Sequence, residues 1–208
     1  MKVFFLMAGL FLFQPSCFGQ HIVFYLHGRI VEVKGADAVD SINGFGAYQY
    51  RAILDTLNAH KFKVISEVRP KTTEVRDYSQ KLAKQILDLI SAGTNPSHIT
   101  VIGASKGALI AMLTSGLVKN PAVNYVFMAA CSQDNLVSYP EINFYGNILS
   151  ISEKSDQYHD CSNFTKGVQG VTHYKELELS TGLRHGFFYR PIPEWLVPAM
   201  AWANGDYR

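Results

Sequence analysis

The sequence is short of charge of either sign. Charged residues make up 17% of the 208, and 19 Lys and Arg against 17 Asp and Glu leave a formal net charge of +2. A balance so near neutral argues against nucleic acid as the main partner, because phosphate recognition needs a clustered excess of basic side chains. Internal repeats, low-complexity tracts and any sign of a second domain are also missing. Their absence, with 48% hydrophobic residues, excludes disordered and collagen-like chains and leaves one domain around one sizeable core.

Cysteine is scarce, at three residues. Met1-Lys2, the uncharged apolar run Val3 to Phe13, and then Pro15, Ser16 and Gly19 have the layout of a secretory signal peptide. The run is too short to span a bilayer. Residues 1–19 are therefore expected to be removed and residues 20–208 to form the folded, exported unit, periplasmic or secreted. Cys17 offers an alternative cut as the lipidated first residue of a lipoprotein, the one route by which a membrane would become a partner. Gln14-Pro15-Ser16 before it make a poor lipobox. Cys131 and Cys161 are either a disulfide, as an oxidising compartment would favour, or two buried thiols.

A true membrane span is lacking too. His98 to Val118 is long and apolar enough to suggest one, yet Lys106 sits at its middle between Gly103 and Gly107, and a charge at mid-membrane is costly. A buried strand turning into a packed helix accounts for the same residues.

Short β-rich runs alternate with helical patterns from His21 onward. Strands are predicted at Ile22 to Leu26, Phe62 to Val68, Ile99 to Ile102, Tyr125 to Met128, Ile148 to Ile151 and near Leu177 to Leu179. Helices are predicted at Ser41 to about Asn58, Thr72 to Ser91, Ser105 to Val118 and Pro193 to Ala203. Alternation of this kind implies an α/β fold: a three-layer sandwich with a mostly parallel sheet of about six strands covered on both faces. The longest aperiodic stretch, about Ser152 to Thr172, is too short for a separate cap.

The strand Ile99 to Ile102 runs into Gly103-Ala104-Ser105-Lys106-Gly107 and then into a helical pattern. Glycines two residues either side of Ser105 let strand and helix approach around a strained turn. A serine hydroxyl is a weak nucleophile, and it needs a base within hydrogen-bond reach and an acid to orient that base. Downstream, Asp156 follows the strand at Ile148 to Ile151, with Asp134 as its rival and Glu153 and Asp160 as outsiders. His185 lies in the loop between the last strand and the terminal helix. Upstream, His27-Gly28-Arg29 directly follows the first strand.

This pattern resembles the α/β-hydrolase superfamily, and specifically its compact, lidless members, since the antiparallel strands that usually open the fold are missing. The family's chain order of Ser, acid and His implies a triad of Ser105, Asp156 and His185, with His159 and His173 as ordinary loop residues. It implies an oxyanion hole from the backbone N–H groups of Lys106 and Arg29, with His27 and Gly28 supporting that loop. The pattern departs from the family at Glu153, where many members have glycine. The resemblance further implies hydrolysis of a small-molecule ester, amide or thioester through an acyl-enzyme, without metal or organic cofactor. A lidless site favours small or soluble carboxylic esters. Acyl transfer or peptidase action with the same residues, and a binding module that kept the fold, are the alternatives. Two cations at the oxyanion positions raise one more expectation: Arg29 or Lys106 meets an acidic group of the substrate, or else pairs with Glu32 or another local carboxylate.

Overall fold

A computed structural model describes residues 19–159 and 170–208. In chain order the elements are β1 (Ile22–Leu26), α1 (Arg29–Lys34), β2 (Val39–Asp40), β3 (Gly46–Ala47), α2 (Tyr50–Ala59), β4 (Lys63–Ile65) and α3 (Val75–Ser91), followed by β5 (Ile99–Ala104) and α4 (Lys106–Val118). Then come β6 (Asn124–Met128), α5 (Gln133–Ser138), β7 (Tyr145–Glu153), β8 (Gly170–Leu179) and α6 (Pro193–Ala203). Six strands form one parallel sheet in the order β4-β1-β5-β6-β7-β8, and β2 and β3 make a small antiparallel hairpin.

Alternate residues of each strand face opposite sides of the sheet. Ile22 and Phe24 of β1, Val101 of β5 and Phe127 of β6 join α3 and α4 in one core. Val23 and Tyr25, Ile102 and Val126 point the other way, where α2, α6 and the Phe187–Tyr189 segment close a second core around Trp195 and Trp202. The sheet is thus the middle of three layers. No separate cap lies among the described residues, and no helix there is long and apolar enough to cross a membrane. Ten of the thirteen residues of α4 are buried, which is why its sequence is mostly apolar.

Several elements differ from the sequence expectation. The helix expected from Ser41 begins only at Tyr50. Gly44 and Gly46 adopt φ of 72° and 79°, and the Asp40 carboxylate accepts the Asn43 N–H at 2.8 Å, so this stretch turns into the β2–β3 hairpin. Strand β4 pairs only over three residues. Strand β8 starts at Gly170, well before Leu177, so His173 is a strand residue and not a loop one. As an edge strand β8 carries polar side chains on both faces, which weakens its apolar signal. Helix α1 was not foreseen, because six residues give too little periodicity to detect.

The chain leaves β1 toward β4 on one side and returns to β5 on the other, so the crossover direction reverses between β1 and β5. In open α/β sheets such a reversal opens a crevice at the carboxyl ends of the two strands. Here those ends lead into Gly28 and Ser105. Helix α4 lies so close to them that a Cβ on Gly107 would stand 2.1 Å from the Leu26 carbonyl oxygen, and one on Gly103 would stand 2.4 Å from the Gly107 oxygen. Gly107→Ala should therefore destabilise the protein by about 2–3 kcal/mol, lowering the thermal midpoint by roughly 6–10 °C. An unchanged midpoint in calorimetry would contradict this close approach.

Candidate active site

Ser105 occupies the single-residue turn between β5 and α4 with φ 53° and ψ −118°. This left-handed region is strained for a side chain bearing a Cβ, at a cost on the order of 1–3 kcal/mol. The turn is over-determined by its neighbours: the Ser105 N–H donates to the Met128 carbonyl at 2.8 Å, and the Ser105 carbonyl accepts from Ala108 at 2.9 Å. The side chain is thereby held out toward the crevice.

His185 sits on the 3-10 turn Arg184–Tyr189, and Asp156 on the turn that leaves β7. The His185 Nε2 lies 3.0 Å from the Ser105 Oγ, and its Nδ1 lies 2.8 Å from the Asp156 Oδ2. A carboxylate can only accept, so Nδ1 carries the proton there and Nε2 is left to receive the Ser105 hydroxyl. Asp156 is 2% exposed, and its other oxygen accepts the Tyr158 N–H at 3.3 Å. Phe188 packs edge-on against the imidazole with ring centroids 5.0 Å apart, and Tyr158 stands equally close. The structure therefore brings Ser105, His185 and Asp156 into one hydrogen-bonded line.

The rival acids go elsewhere. Asp134 lies exposed in the first turn of α5, and the buried Glu153 turns to the backbone of two loops instead of to His185. His159 meets the Asp156 carbonyl, while His173 meets Asn147 and stacks on Tyr207 at the far end of the sheet. Asp160 and Cys161 lie outside the described residues, as do residues 1–18 with Cys17 and nearly all of the expected signal segment.

Across the crevice, Arg29 and Lys106 are the first residues of α1 and α4, so their N–H groups have no intrahelical acceptor. A Cβ placed on Gly28 would lie 3.7 Å from the Ser105 Cβ, which sets this loop directly beside the serine. The Gly28 N–H is taken by the Tyr48 hydroxyl at 3.4 Å, itself 2.7 Å from the Tyr25 hydroxyl. Burial raises both phenols, Tyr48 to about 12, so both stay neutral.

His27 anchors the same loop. Its Nδ1 donates to the Gly28 carbonyl at 2.9 Å, which leaves Nε2 as the acceptor of the Arg69 N–H at 3.1 Å. Burial and the neighbouring Arg69 charge depress its pKa to about 4. Arg69, which is 1% exposed, also donates to the His27 carbonyl and pairs with Glu32 at 2.8 Å. The second Glu32 oxygen takes the Lys106 Nζ at 2.6 Å, and that ammonium reaches the Thr73 carbonyl at 2.6 Å as well. Of the two pairings expected for the cationic pair, Lys106 thus adopts the one with Glu32. Arg29 is exposed at the rim. Sequence reasoning missed Arg69, and no local signal marks an arginine beside Pro70 as buried.

An open cleft of about 170 Å³ lies over Ser105 and His185, walled by Phe45, Phe188 and Tyr189 together with Asp40 and Asn43, with Arg29 at its edge. Arg184 stacks over Phe45 at 5.0 Å and donates to the Asn43 carbonyl at 2.8 Å, closing one side. Among the described residues no group of three His, Cys, Asp or Glu side chains is placed to hold a metal ion.

The depressed His27 pKa has a consequence for stability. Between about 4 and 6.5 the unfolded chain binds a proton at His27 that the folded protein does not. Stability is then full above pH 6.5 and falls as pH drops toward 4, by up to about 3 kcal/mol. Urea unfolding should show that loss in the wild type. His27→Gln should flatten the curve over that window, and parallel curves would refute the assignment.

No protein-family model matches the sequence, and no curated protein sequence does either. Solved structures do resemble it. A structure reported for the metagenome-derived lipolytic enzymes LipS and LipT superposes with a TM-score of 0.59 at 14% identity, over 90% of this chain and 95% of its own. Mouse alpha/beta hydrolase domain-containing protein 10 gives 0.54 at 8% identity, over 86% and 87%. An esterase of the fungus Rhizomucor miehei gives 0.56 at 14% identity, over 89% and 73%. The parallel sheet, the crevice at its carboxyl edge and these likenesses together establish that the chain has the α/β-hydrolase fold.

Proposed function

We propose that the protein is a serine hydrolase that cleaves small carboxylic esters through an acyl-enzyme on Ser105, and that it acts after export. The observation that carries this reading is the continuous hydrogen-bond line Asp156–His185–Ser105, at 2.8 and 3.0 Å, on the carboxyl edge of the sheet. In the reaction, the His185 Nε2 takes the Ser105 proton as Oγ attacks the ester carbonyl. The N–H groups of Lys106 and Arg29 receive the oxyanion. Asp156 holds the imidazole in its Nδ1–H form and stabilises the imidazolium that forms. Collapse expels the alcohol, which leaves with the proton from His185. Water then attacks the acyl-enzyme with His185 again as base, releasing the acid and restoring Ser105. This proton transfer and oxyanion stabilisation need no cofactor.

The small cleft walled by three aromatic rings favours short acyl groups. The names of the structural neighbours, which include lipolytic enzymes and esterases, agree with ester chemistry. A fluorophosphonate probe should label the wild type and leave Ser105→Ala unlabelled. Asp156→Asn should lower kcat by roughly 10³–10⁴ through the wrong imidazole tautomer. Equal labelling of wild type and Ser105→Ala would end the hydrolase reading.

Of the two cations at the oxyanion positions Lys106 is engaged by Glu32, which leaves Arg29, exposed at the rim, to meet an acidic group on the acyl side of the substrate. Arg29→Glu keeps the backbone N–H and should lower kcat/KM for anionic esters relative to neutral ones by about threefold to fivefold, as expected for a charge pair at an exposed site. An unchanged ratio across a charge-varied ester panel removes this preference.

A further inference from the structure

Asp156 and His185 come from different turns, and something must fix the distance between them. The side chain nearest to doing so is Glu153, the last residue of β7, which is 1% exposed. One of its oxygens accepts the Thr181 N–H at 2.9 Å and the Thr181 hydroxyl at 2.7 Å. The other accepts the Ser155 hydroxyl at 2.9 Å and the N–H groups of Ser155 and Gly182, each at 3.3 Å. Ser155 precedes the candidate acid directly, and Thr181 and Gly182 open the loop that carries the candidate base.

Two of the residues that donate these bonds accept others in turn. The Ser155 hydroxyl oxygen accepts the N–H of Arg184, the residue before His185, at 3.2 Å. The Thr181 hydroxyl oxygen accepts the Leu183 N–H at 3.2 Å. The Asp156 N–H itself donates to the Glu153 carbonyl at 2.8 Å. Arg184 holds a left-handed φ of 52°, so the loop enters His185 under strain that these contacts restrain. Burial alone would raise the Glu153 carboxyl, but the hydrogen bonds from Thr181 and Ser155 outweigh it and bring it below the usual carboxylate range. The group is thus ionised and held by neutral dipoles, as a multiply hydrogen-bonded carboxylate is.

We propose that Glu153 is a positioning residue: its buried carboxylate clamps the Asp156 turn to the His185 turn and thereby sets the Asp156–His185 hydrogen bond. The proposal rests on the serine-hydrolase reading for its kinetic consequence but not for its geometry. Misplacement of a reacting group by about 1 Å can cost on the order of 10² in rate, so a clamp of this kind acts on kcat while leaving substrate contacts alone.

The isosteric variant Glu153→Gln turns an amide NH₂ toward donors on one side or the other. It should lower kcat on a short soluble ester by about 10²-fold, with KM within about threefold of the wild type. The far-downfield proton resonance of the His185 Nδ1–H in its bond to Asp156 should shift or vanish in the same variant. If Glu153→Gln does not fold, Thr181 decides: Thr181→Val should lower kcat by about tenfold, and Thr181→Ser, which restores the hydroxyl, should recover it.

Folded variants with wild-type kcat and an unmoved resonance would overturn the clamp, as would equal losses in Thr181→Val and Thr181→Ser. A wild type without Ser105-dependent labelling overturns the hydrolase reading instead. The resonance still tests the clamp in that case, so the two failures are distinguishable.

Discussion

The Glu32 carboxylate, buried between the Arg69 guanidinium and the Lys106 ammonium, ties together the parts of the molecule that form one wall of the crevice. It belongs to α1, Lys106 opens α4, and Arg69 comes from the segment between β4 and α3. With side-chain exposures of 0% for Arg69, 1% for Glu32 and 18% for Lys106, these charges are largely out of water. Removing one partner of a buried ion set leaves an uncompensated charge, at a cost of about 3–5 kcal/mol. The same arginine holds the His27 carbonyl and the His27 ring, so the loop that presents Gly28 and the Arg29 N–H depends on it twice. An apolar replacement of similar volume would save desolvation but would not fix where α1 starts relative to Ser105.

The opposite wall obeys a different constraint. There the sheet supplies only strand ends, and the two turns that carry Asp156 and His185 are joined through neutral donors converging on Glu153. Between the two walls, the absence of side chains at Gly103 and Gly107 lets α4 sit against the ends of β1 and β5. Both walls therefore face one serine whose backbone strain is maintained by hydrogen bonds to Met128 and Ala108. The geometry is distributed over loops far apart in sequence, and the parallel sheet gathers them at one edge.

That distribution explains what could be read from the sequence. Strands β1 and β5 are continuous apolar runs because both faces are covered, and the residues that follow each run are the ones the crevice uses. Hence Gly28, Ser105, Asp156 and His185 could be picked out by their position after strands. The β2–β3 hairpin could not, since Phe45 and Tyr48 fall at nearly helical spacing with Ala52 and Leu57, while the turn is dictated by the glycine conformations and the Asp40 side chain. The burial of Arg69 and Glu153 is illegible for a deeper reason. Whether a charged side chain is buried depends on partners 37 and 28 residues away, and one sequence carries no local trace of them. In the sequence Glu153 registers as an outlying candidate for the acid and as a departure from the expected glycine; its function as a hydrogen-bond centre follows from the Thr181 and Ser155 donors.

The two walls also differ in sign, and the difference matches the proposed chemistry. Behind the Arg29 and Lys106 N–H groups lies a cluster of two cations and one carboxylate, a net positive charge on the side where an oxyanion would develop. Behind His185 lie the Asp156 and Glu153 carboxylates, a negative set on the side where an imidazolium would form. His27, the one imidazole on the oxyanion side, is held neutral by burial and by Arg69, so it adds no titrating charge there near neutral pH. Acyl transfer from a serine separates charge in just this direction, negative on the carbonyl oxygen and positive on the base. Fixed charges arranged this way favour that separation without reorganising during the reaction. Lys106 fits this account better than a substrate contact does: its ammonium closes the Glu32 pair, and its backbone N–H, on the first residue of α4, has no intrahelical acceptor.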